Sequence, residues 1–190
     1  MNWNDHSNLE GKHAYLSASK YHWINYSEEK LANAYRNHLA TLMGTRLHAY
    51  AAECISLGQK LPRSKKTLNM YVNDAIGFNM TPEQVLRYSD NCFGTADTIK
   101  FEEQKGLLRV HDLKTGQTPS HLEQLLVYSA LFCLEYGKKY NFKPGDIEFE
   151  NRIYQFDDIA YAYPTVEDIL PVMDTIVTFD KIITRINEEG

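Results

Sequence analysis

Two carboxylates and one lysine lie close together near the middle of this 190-residue chain: Asp97, Asp112 and Lys114. Each belongs to a segment whose alternation predicts a β-strand, in which every second side chain shares a face. The other positions on those faces are Thr95, Ile99 and Phe101 for Asp97, and Leu108 and Val110 for Asp112. Because a buried carboxylate is costly unless it is paired or binds a metal ion, the pattern predicts metal-assisted cleavage of phosphodiesters. A surface ion pair between Asp112 and Lys114 is the alternative.

A histidine on a long predicted helix is the second candidate. The helix is predicted from Glu28 to Leu57, with Ser27 as its N-cap and Gly58 just beyond its end. The neighbours of His48 at helical spacing are mostly small: Thr41, Gly44, Thr45, Ala51, Ala52 and Ile55. Such a stripe lets a helix lie close to a sheet and leaves the imidazole as the one large polar group at the contact. The alternative is a core histidine bonded to a backbone carbonyl.

Gln124 and Tyr128 form a polar pair four residues apart, on one face of a helix predicted from Ser120 to Tyr136. The rest of that helix is strongly apolar. We therefore expect the helix to be buried and its glutamine to need hydrogen-bonding partners. The pair either orients a substrate or a catalytic residue, or completes a structural network in the core.

Four motifs follow one another along the chain. They are Gly44-Thr45-Arg46-Leu47-His48, Gly94-Thr95-Ala96-Asp97, Asp112-Leu113-Lys114-Thr115-Gly116 and Gln124-Leu125-Leu126-Val127-Tyr128. In this order they resemble the PD-(D/E)XK nucleases of the RecB-like exonuclease branch, which includes the RecB and AddB nuclease domains and many phage-encoded nucleases. Leu16-Ser17-Ala18-Ser19 also resembles the Ser-rich motif that opens members of this branch.

The resemblance implies an α/β fold with a restriction-endonuclease-like core, in which helices flank a mixed central sheet of about four to five strands. It implies a single nuclease domain over residues 1–190. The expected activity is divalent-metal-dependent hydrolysis of DNA by an exonuclease that prefers single-stranded or end-opened DNA. The expected setting is recombination, repair or phage DNA processing. A structure-specific or single-strand endonuclease is the alternative mode of attack.

The resemblance also implies roles for individual residues. Asp97 and Asp112 are expected to bind one or two Mg²⁺ or Mn²⁺ ions, with the Leu113 carbonyl as a further ligand. His48 is expected to complete the coordination of one ion through its imidazole, a ligand that favours Mn²⁺ over Mg²⁺. Lys114 is expected to orient or activate the attacking water and to counter the developing negative charge.

Supporting roles fall to residues around these. Gln124 and Tyr128 are expected to position the nucleic-acid strand or to support Lys114. Glu53 is a weaker candidate for a second metal site, because it lies about 140° round the helix from His48 and can therefore face solvent.

The cysteines differ from those of part of the branch. AddB-type members carry four cysteines that hold an iron–sulfur cluster. This chain has three, Cys54, Cys92 and Cys133, and none belongs to a C-x-x-C pair, so we expect no cluster. Small buried hydrophobic residues in a reducing cytosol are the expected role of all three.

The net charge of −5 argues against tight electrostatic binding to long DNA, although bound metal ions supply positive charge where a phosphate lies. The expected partners are DNA, as single strands or duplex ends, and a helicase or recombinase. The polar N-terminus and the lack of a long apolar run predict a cytoplasmic protein, in the host cytoplasm if a phage encodes it, without a membrane partner. Two other classes stay open: a catalytically idle nucleic-acid-binding module, and a metal-independent enzyme or structural protein whose charged residues form buried ion pairs.

The remaining segments are assigned from capping residues and periodicity. Residues 1–14 are expected to be poorly ordered, and the aromatic residues Tyr21, Trp23 and Tyr26 either pack in the core or stack on bases. Thr81-Pro82-Glu83-Gln84 is a capping box that predicts a short helix, followed by a first strand between Leu86 and Phe93. The other predictions are a helix over residues 67–76, strands over 147–156 and 159–163, and a C-terminal helix within 164–190.

Overall fold

One mixed sheet of five strands organises the computed structural model, which describes residues 3–189. The strands are β1 (Thr81–Ser89), β2 (Cys92–Glu102), β3 (Leu107–Leu113), β4 (Glu148–Gln155) and β5 (Asp158–Ala162), and they lie side by side in chain order. Only β3 and β4 run parallel, and the other neighbours are antiparallel. A parallel pair needs a crossover connection, which here contains helix α3 (Glu123–Tyr140). The predicted α/β fold with a mixed sheet is confirmed.

Helices cover both faces of this sheet. On one face, helices α3 and α4 (Val166–Glu189) contribute Leu125, Leu131 and Ile169 to a core that includes Leu108 and Val110 of β3. On the other face, Leu113 and Tyr154 pack with Ala51, Cys54, Tyr71 and Val72 from helices α1 (Glu28–Ser56) and α2 (Thr67–Gly77). Because side chains alternate along a strand, β3 contributes to both cores.

Local signals placed most helices correctly. Helix α1 begins after Ser27, whose Oγ accepts a hydrogen bond from Lys30 N at 3.2 Å, and it ends before Gly58, which has a left-handed φ of 65°. Helix α4 follows Thr165, whose backbone N–H donates to Asp168 Oδ2 at 2.8 Å. These bonds satisfy backbone groups that a helix end leaves without partners. The predicted boundaries of both helices are confirmed to within a few residues.

The helix predicted from the capping box at Thr81 is wrong, because these residues begin strand β1. Thr81 pairs with Ile99 and Pro82 with Thr98, so the ladder to β2 already includes the two residues that would have started a helix. Proline is tolerated here because β1 is an edge strand of the sheet. The first strand therefore starts five residues before the predicted range, and pairing with a distant segment outweighs the local helix signal.

The described residues fall into two compact units, one that ends at Leu42 and one that begins at Met43. The first contains short 3₁₀ segments at Ser7–Leu9 and Ala18–Asn25, and its Trp23 Nε1 donates to the Ser17 carbonyl at 2.9 Å. Of the segment expected to be poorly ordered, Met1 and Asn2 lie outside the described residues. The motifs from Gly44 to Tyr128 all belong to the second unit. No helix within residues 3–189 is both long and apolar enough to cross a membrane.

Candidate active site

The two predicted acidic residues lie where strands β2 and β3 stop pairing. The β2–β3 ladder begins with Thr98 opposite His111, and Asp97 lies outside both ladders among the described strands. Its carboxylate continues the pairing instead, because Asp97 Oδ2 accepts a hydrogen bond from Leu113 N at 2.9 Å. Leu113, the residue between Asp112 and Lys114, therefore connects the two acidic positions through its backbone.

Asp112 is a buried carboxylate, since the residue is only 2% exposed. Lys114 Nζ donates to its Oδ1 at 3.1 Å and lies 3.0 Å from its Oδ2, yet Oδ2 accepts no well-formed hydrogen bond from any residue the structure describes. Burial, and then the charge of Asp97, raise the pKa of Asp112 to about 6, although Lys114 and His48 act in the opposite direction. The pair with Lys114 therefore offsets only part of the cost of burying this carboxylate.

His48 approaches the first acidic residue from helix α1. Its Nδ1 lies 3.3 Å from Asp97 Oδ2, and this contact raises the pKa of His48 against the opposing effect of burial. One turn earlier, Gly44 is buried, and a Cβ at this position would lie 2.7 Å from Thr115 Oγ1. The predicted small residue thus serves close packing of the helix. Glu53, the weaker metal candidate, is exposed, as its position round the helix predicted.

Lys114 is held by a chain of hydrogen bonds that leads back to strand β2. Its Nζ donates to Gln124 Oε1 at 2.8 Å, and Gln124 Nε2 donates to Tyr128 OH at 3.2 Å. Tyr128 OH in turn donates to the Thr95 carbonyl at 2.7 Å. Gly94 makes this approach feasible, because a Cβ there would lie 3.1 Å from Tyr128 Cε1. Gln124 is exposed rather than buried. Its side chain therefore supports Lys114 and does not belong to a network in the core.

Glu83 is a site residue that the sequence reasoning missed. It lies between Pro82 and Gln84, whose partners Thr98 and Ala96 flank Asp97, and its own backbone has a left-handed φ of 51°. Partial burial and then the charge of Asp97 raise the pKa of Glu83, while His48 lowers it. The signal was concealed because Glu83 was assigned to a helix cap. An acidic residue opposite Asp97 is visible only once β1 is paired with β2.

The donor set suits a hard divalent cation. Carboxylate oxygens are the ligands that Mg²⁺ prefers, and an added imidazole suits Mn²⁺. The buried Asp112 Oδ2 without a well-formed hydrogen bond is an oxygen that a cation would satisfy. Within residues 3–189, no group of three or more His, Cys, Asp and Glu side chains is assembled as a metal cluster, and the Asp112 carboxylate is held by Lys114 instead.

Comparisons with family models, with curated proteins and with solved structures find no match to this chain. The site is therefore known from its contacts alone. They bring the candidates into two neighbouring groups, one that joins His48 to Asp97 and one that joins Asp112, Lys114, Gln124 and Tyr128. The Leu113 amide links the second strand to the first group.

Proposed function

We propose that this protein is a divalent-metal-dependent deoxyribonuclease that hydrolyses phosphodiester bonds. The single observation that carries the proposal is the buried Asp112 carboxylate, paired with a lysine that is itself held in position by Gln124. A charged cluster with a strongly raised carboxyl pKa is a pointer to a functional site. The order of the motifs, which resembles that of the PD-(D/E)XK nucleases with a restriction-endonuclease-like core, supports the same reaction.

Asp97 and Asp112 would hold Mg²⁺ or Mn²⁺, with His48 and the Leu113 carbonyl as further ligands. A metal ion held by these residues would neutralise charge at the phosphate and would lower the pKa of a bound water. With its pKa near 6, Asp112 is largely ionised at neutral pH and therefore offers both oxygens to a cation. Leu113 N fixes the orientation of the Asp97 carboxylate.

Lys114 is the group that would orient the attacking water and counter the negative charge that develops on the phosphate oxygens. Gln124 holds the ammonium group, and Tyr128 holds the Gln124 amide, so that Lys114 is positioned before a substrate arrives. Positioned charges of this kind lower the barrier because they need no reorganisation during the reaction. This connected lysine argues against a catalytically idle binding module.

The proposed substrate is single-stranded DNA or an opened duplex end, which the protein degrades as an exonuclease. The proposed setting is recombination, repair or phage DNA processing, with a helicase or recombinase as partner. The net charge of −5 supports local binding at a metal-lined site over clamping of long duplexes. The resemblance to end-processing nucleases supports the same mode of attack.

The metal requirement is tested with a labelled linear single strand in Mn²⁺, in Mg²⁺ and in excess EDTA. We expect cleavage only with metal, and a loss of about 10³-fold in Asp112→Asn, as for removal of a preorganised charge. Asp174→Asn, an exposed aspartate on helix α4, is the matched control and should keep full activity. Cleavage in EDTA, or full activity of Asp112→Asn, contradicts the proposal.

The mode of attack is tested with matched linear and circular single strands under the same conditions. An exonuclease degrades the linear strand and leaves the closed circle intact for much longer. Rapid opening of the circle, at a rate comparable with digestion of the linear strand, would instead establish an endonuclease that uses the same residues.

A further inference from the structure

The turn between β4 and β5 contains an aromatic residue in a backbone conformation that disfavours it. Gln155 pairs with Asp158, so Phe156 and Asp157 form a two-residue turn, and their φ angles are 55° and 57°. Such turns prefer Asn-Gly, because both central residues have left-handed φ. A bulky side chain there is strained. Burial does not offset that strain, since Phe156 is 54% exposed.

The strained turn is anchored on one side to the start of helix α2. Asp157 Oδ1 accepts a hydrogen bond from Thr67 N at 2.9 Å, and its Oδ2 accepts one from Lys66 Nζ at 2.7 Å. The backbone N–H of Asp157 donates to Thr67 Oγ1 at 2.7 Å. Asp157 therefore serves the fold, and none of these bonds involves the side chain of its neighbour Phe156.

On the other side, the turn is anchored to the loop that follows Lys114. Gln155 Nε2 donates to the carbonyls of Gly116 and Thr118 at 2.9 and 2.8 Å, and its Oε1 accepts from Ser120 N at 3.1 Å. The backbone of Lys114 also donates to the Tyr154 carbonyl at 2.9 Å. The position of Phe156 relative to the proposed catalytic lysine is thus fixed by hydrogen bonds of the residues on either side of it in the chain.

Phe156 and Lys114 line the same open cavity, which has a volume of about 410 Å³. Leu47 and Leu68 add apolar surface, and the loop residues from Thr115 to Gln117 add polar groups. The cavity thus joins an exposed aromatic ring to the segment that carries Lys114, whose ammonium group is bound to Asp112 and Gln124. An exposed ring at this position offers a surface for a base of a strand whose phosphate lies at that lysine.

We propose that Phe156 stacks on an unpaired base of the strand whose phosphodiester lies at Lys114, so that the cavity is a nucleotide subsite. The inference rests on the proposed nuclease function and adds a residue that distinguishes single-stranded from double-stranded DNA. Every base offers a π-face, so stacking is tolerant of sequence, but it is available only to a base that has left the duplex. The backbone strain at Phe156 is retained because a residue that relieves it would lose the ring.

The test compares Phe156→Ala, Phe156→Asn and Phe156→Trp with Tyr163→Ala, an exposed aromatic residue beyond the end of β5. For a single-stranded substrate we expect the KM of Phe156→Ala to rise about 5- to 100-fold, the range for one lost stacked base, with kcat within about twofold. Phe156→Trp should restore KM, and Tyr163→Ala should leave it unchanged. Phe156→Asn should bind as poorly as the alanine variant yet melt at a higher temperature than the wild type, because asparagine suits this turn.

An abasic site moved along the substrate locates the stacked base. At one position the abasic site should raise the KM of the wild type as much as Phe156→Ala does. At the same position it should not raise the KM of Phe156→Ala any further. Equal KM values for the wild type and Phe156→Ala, in an enzyme that cleaves, overturn the subsite and leave the nuclease proposal standing. A wild type that does not cleave overturns the nuclease proposal. Oligonucleotide affinity, measured by anisotropy with Ca²⁺, then decides the subsite, and equal affinities of the wild type and Phe156→Ala overturn it.

Discussion

Two groups of charged residues are built on the same sheet and on the segments next to it, and they differ in how their charges are compensated. One is the candidate active site around Asp97 and Asp112. The other, which we call the balanced cluster, is formed by Asp74, Glu102, Lys105, Arg109, Glu150 and Arg152. Both groups include residues of strand β3, so the same strand contributes to two groups with different charge balance.

The balanced cluster pairs each of its carboxylates with a cation. Glu150 Oε1 lies 3.0 Å from Arg109 Nε and 2.9 Å from an Arg152 guanidinium nitrogen. Arg109 also pairs with Glu102, and Arg152 with Asp74 at 3.3 Å. Both guanidinium groups lie over the Phe78 ring, at 4.5 and 4.9 Å from its centroid. Three carboxylates meet three cations, and Asp74 and the Phe78 ring connect the group to helix α2 and its C-cap.

The candidate site has the opposite composition. Among the described residues, Glu83, Asp97 and Asp112 interact electrostatically with one lysine and one histidine. Burial, and then the charge of Asp97, raise the pKa of Asp112 more than its ion pair with Lys114 lowers it, which records a free-energy cost that this pair does not fully offset. A cluster with as many cations as carboxylates serves stability, whereas one with more carboxylates than lysines suits the metal site that we propose. Stability and activity measured on the same variants separate these two roles.

Glu150→Gln should give the largest effect, and on stability alone. The variant leaves two guanidinium groups in a largely buried site without their shared carboxylate, which should lower the free energy of unfolding by about 3 kcal/mol and the Tm by roughly 6–12 °C. Thermal melting checks the first part, and kcat measured well below the melting range should be unchanged. Glu148→Gln, an exposed residue of the same strand, should alter neither. A stable but inactive Glu150→Gln would contradict the division between the two regions.

Lys114→Ala should show the reverse pattern. Turnover should fall by about 10²-fold, as for loss of one preorganised charge, while the Tm changes little. The physical reason is that Asp112, whose pKa is already about 6, takes up a proton when its lysine is removed and so avoids a bare buried charge. Steady-state kinetics and melting of the same preparation check both statements, with Lys138→Ala in the last turn of α3 as the control. Native turnover in Lys114→Ala would remove the lysine from the proposed mechanism.

The sequence predicted contacts among the candidate residues better than it predicted the segments around them. The order of the motifs and their resemblance to a nuclease family predicted that His48, Asp97 and Asp112 share a site, and the Gln124–Tyr128 spacing needs only one helix. Glu83 was missed because its position depends on the pairing of β1 with β2. The balanced cluster was missed for a related reason: alternation puts Arg109 and His111 on the face opposite Asp112, but no local signal shows that helix α2 covers this face. Contacts between distant segments decide both cases.

A matched pair of tyrosine variants gives the smallest and most direct comparison, because one hydroxyl is removed from each region. Tyr154 is fully buried and donates to Asp74 Oδ2 at 2.7 Å, so Tyr154→Phe should lower the free energy of unfolding by about 2 kcal/mol, the range for a bond to a charged group, without changing kcat. Tyr128 donates to the Thr95 carbonyl at the same distance of 2.7 Å, but it also positions Gln124. Tyr128→Phe should therefore cost about 1 kcal/mol of stability or less and lower turnover by roughly 3- to 10-fold, because Lys114 loses part of its support. Chemical denaturation and initial rates measure both quantities on both variants. If the two substitutions lowered stability equally and did not change turnover, Tyr128 would have a structural role only, and Gln124 would be the last residue that supports Lys114.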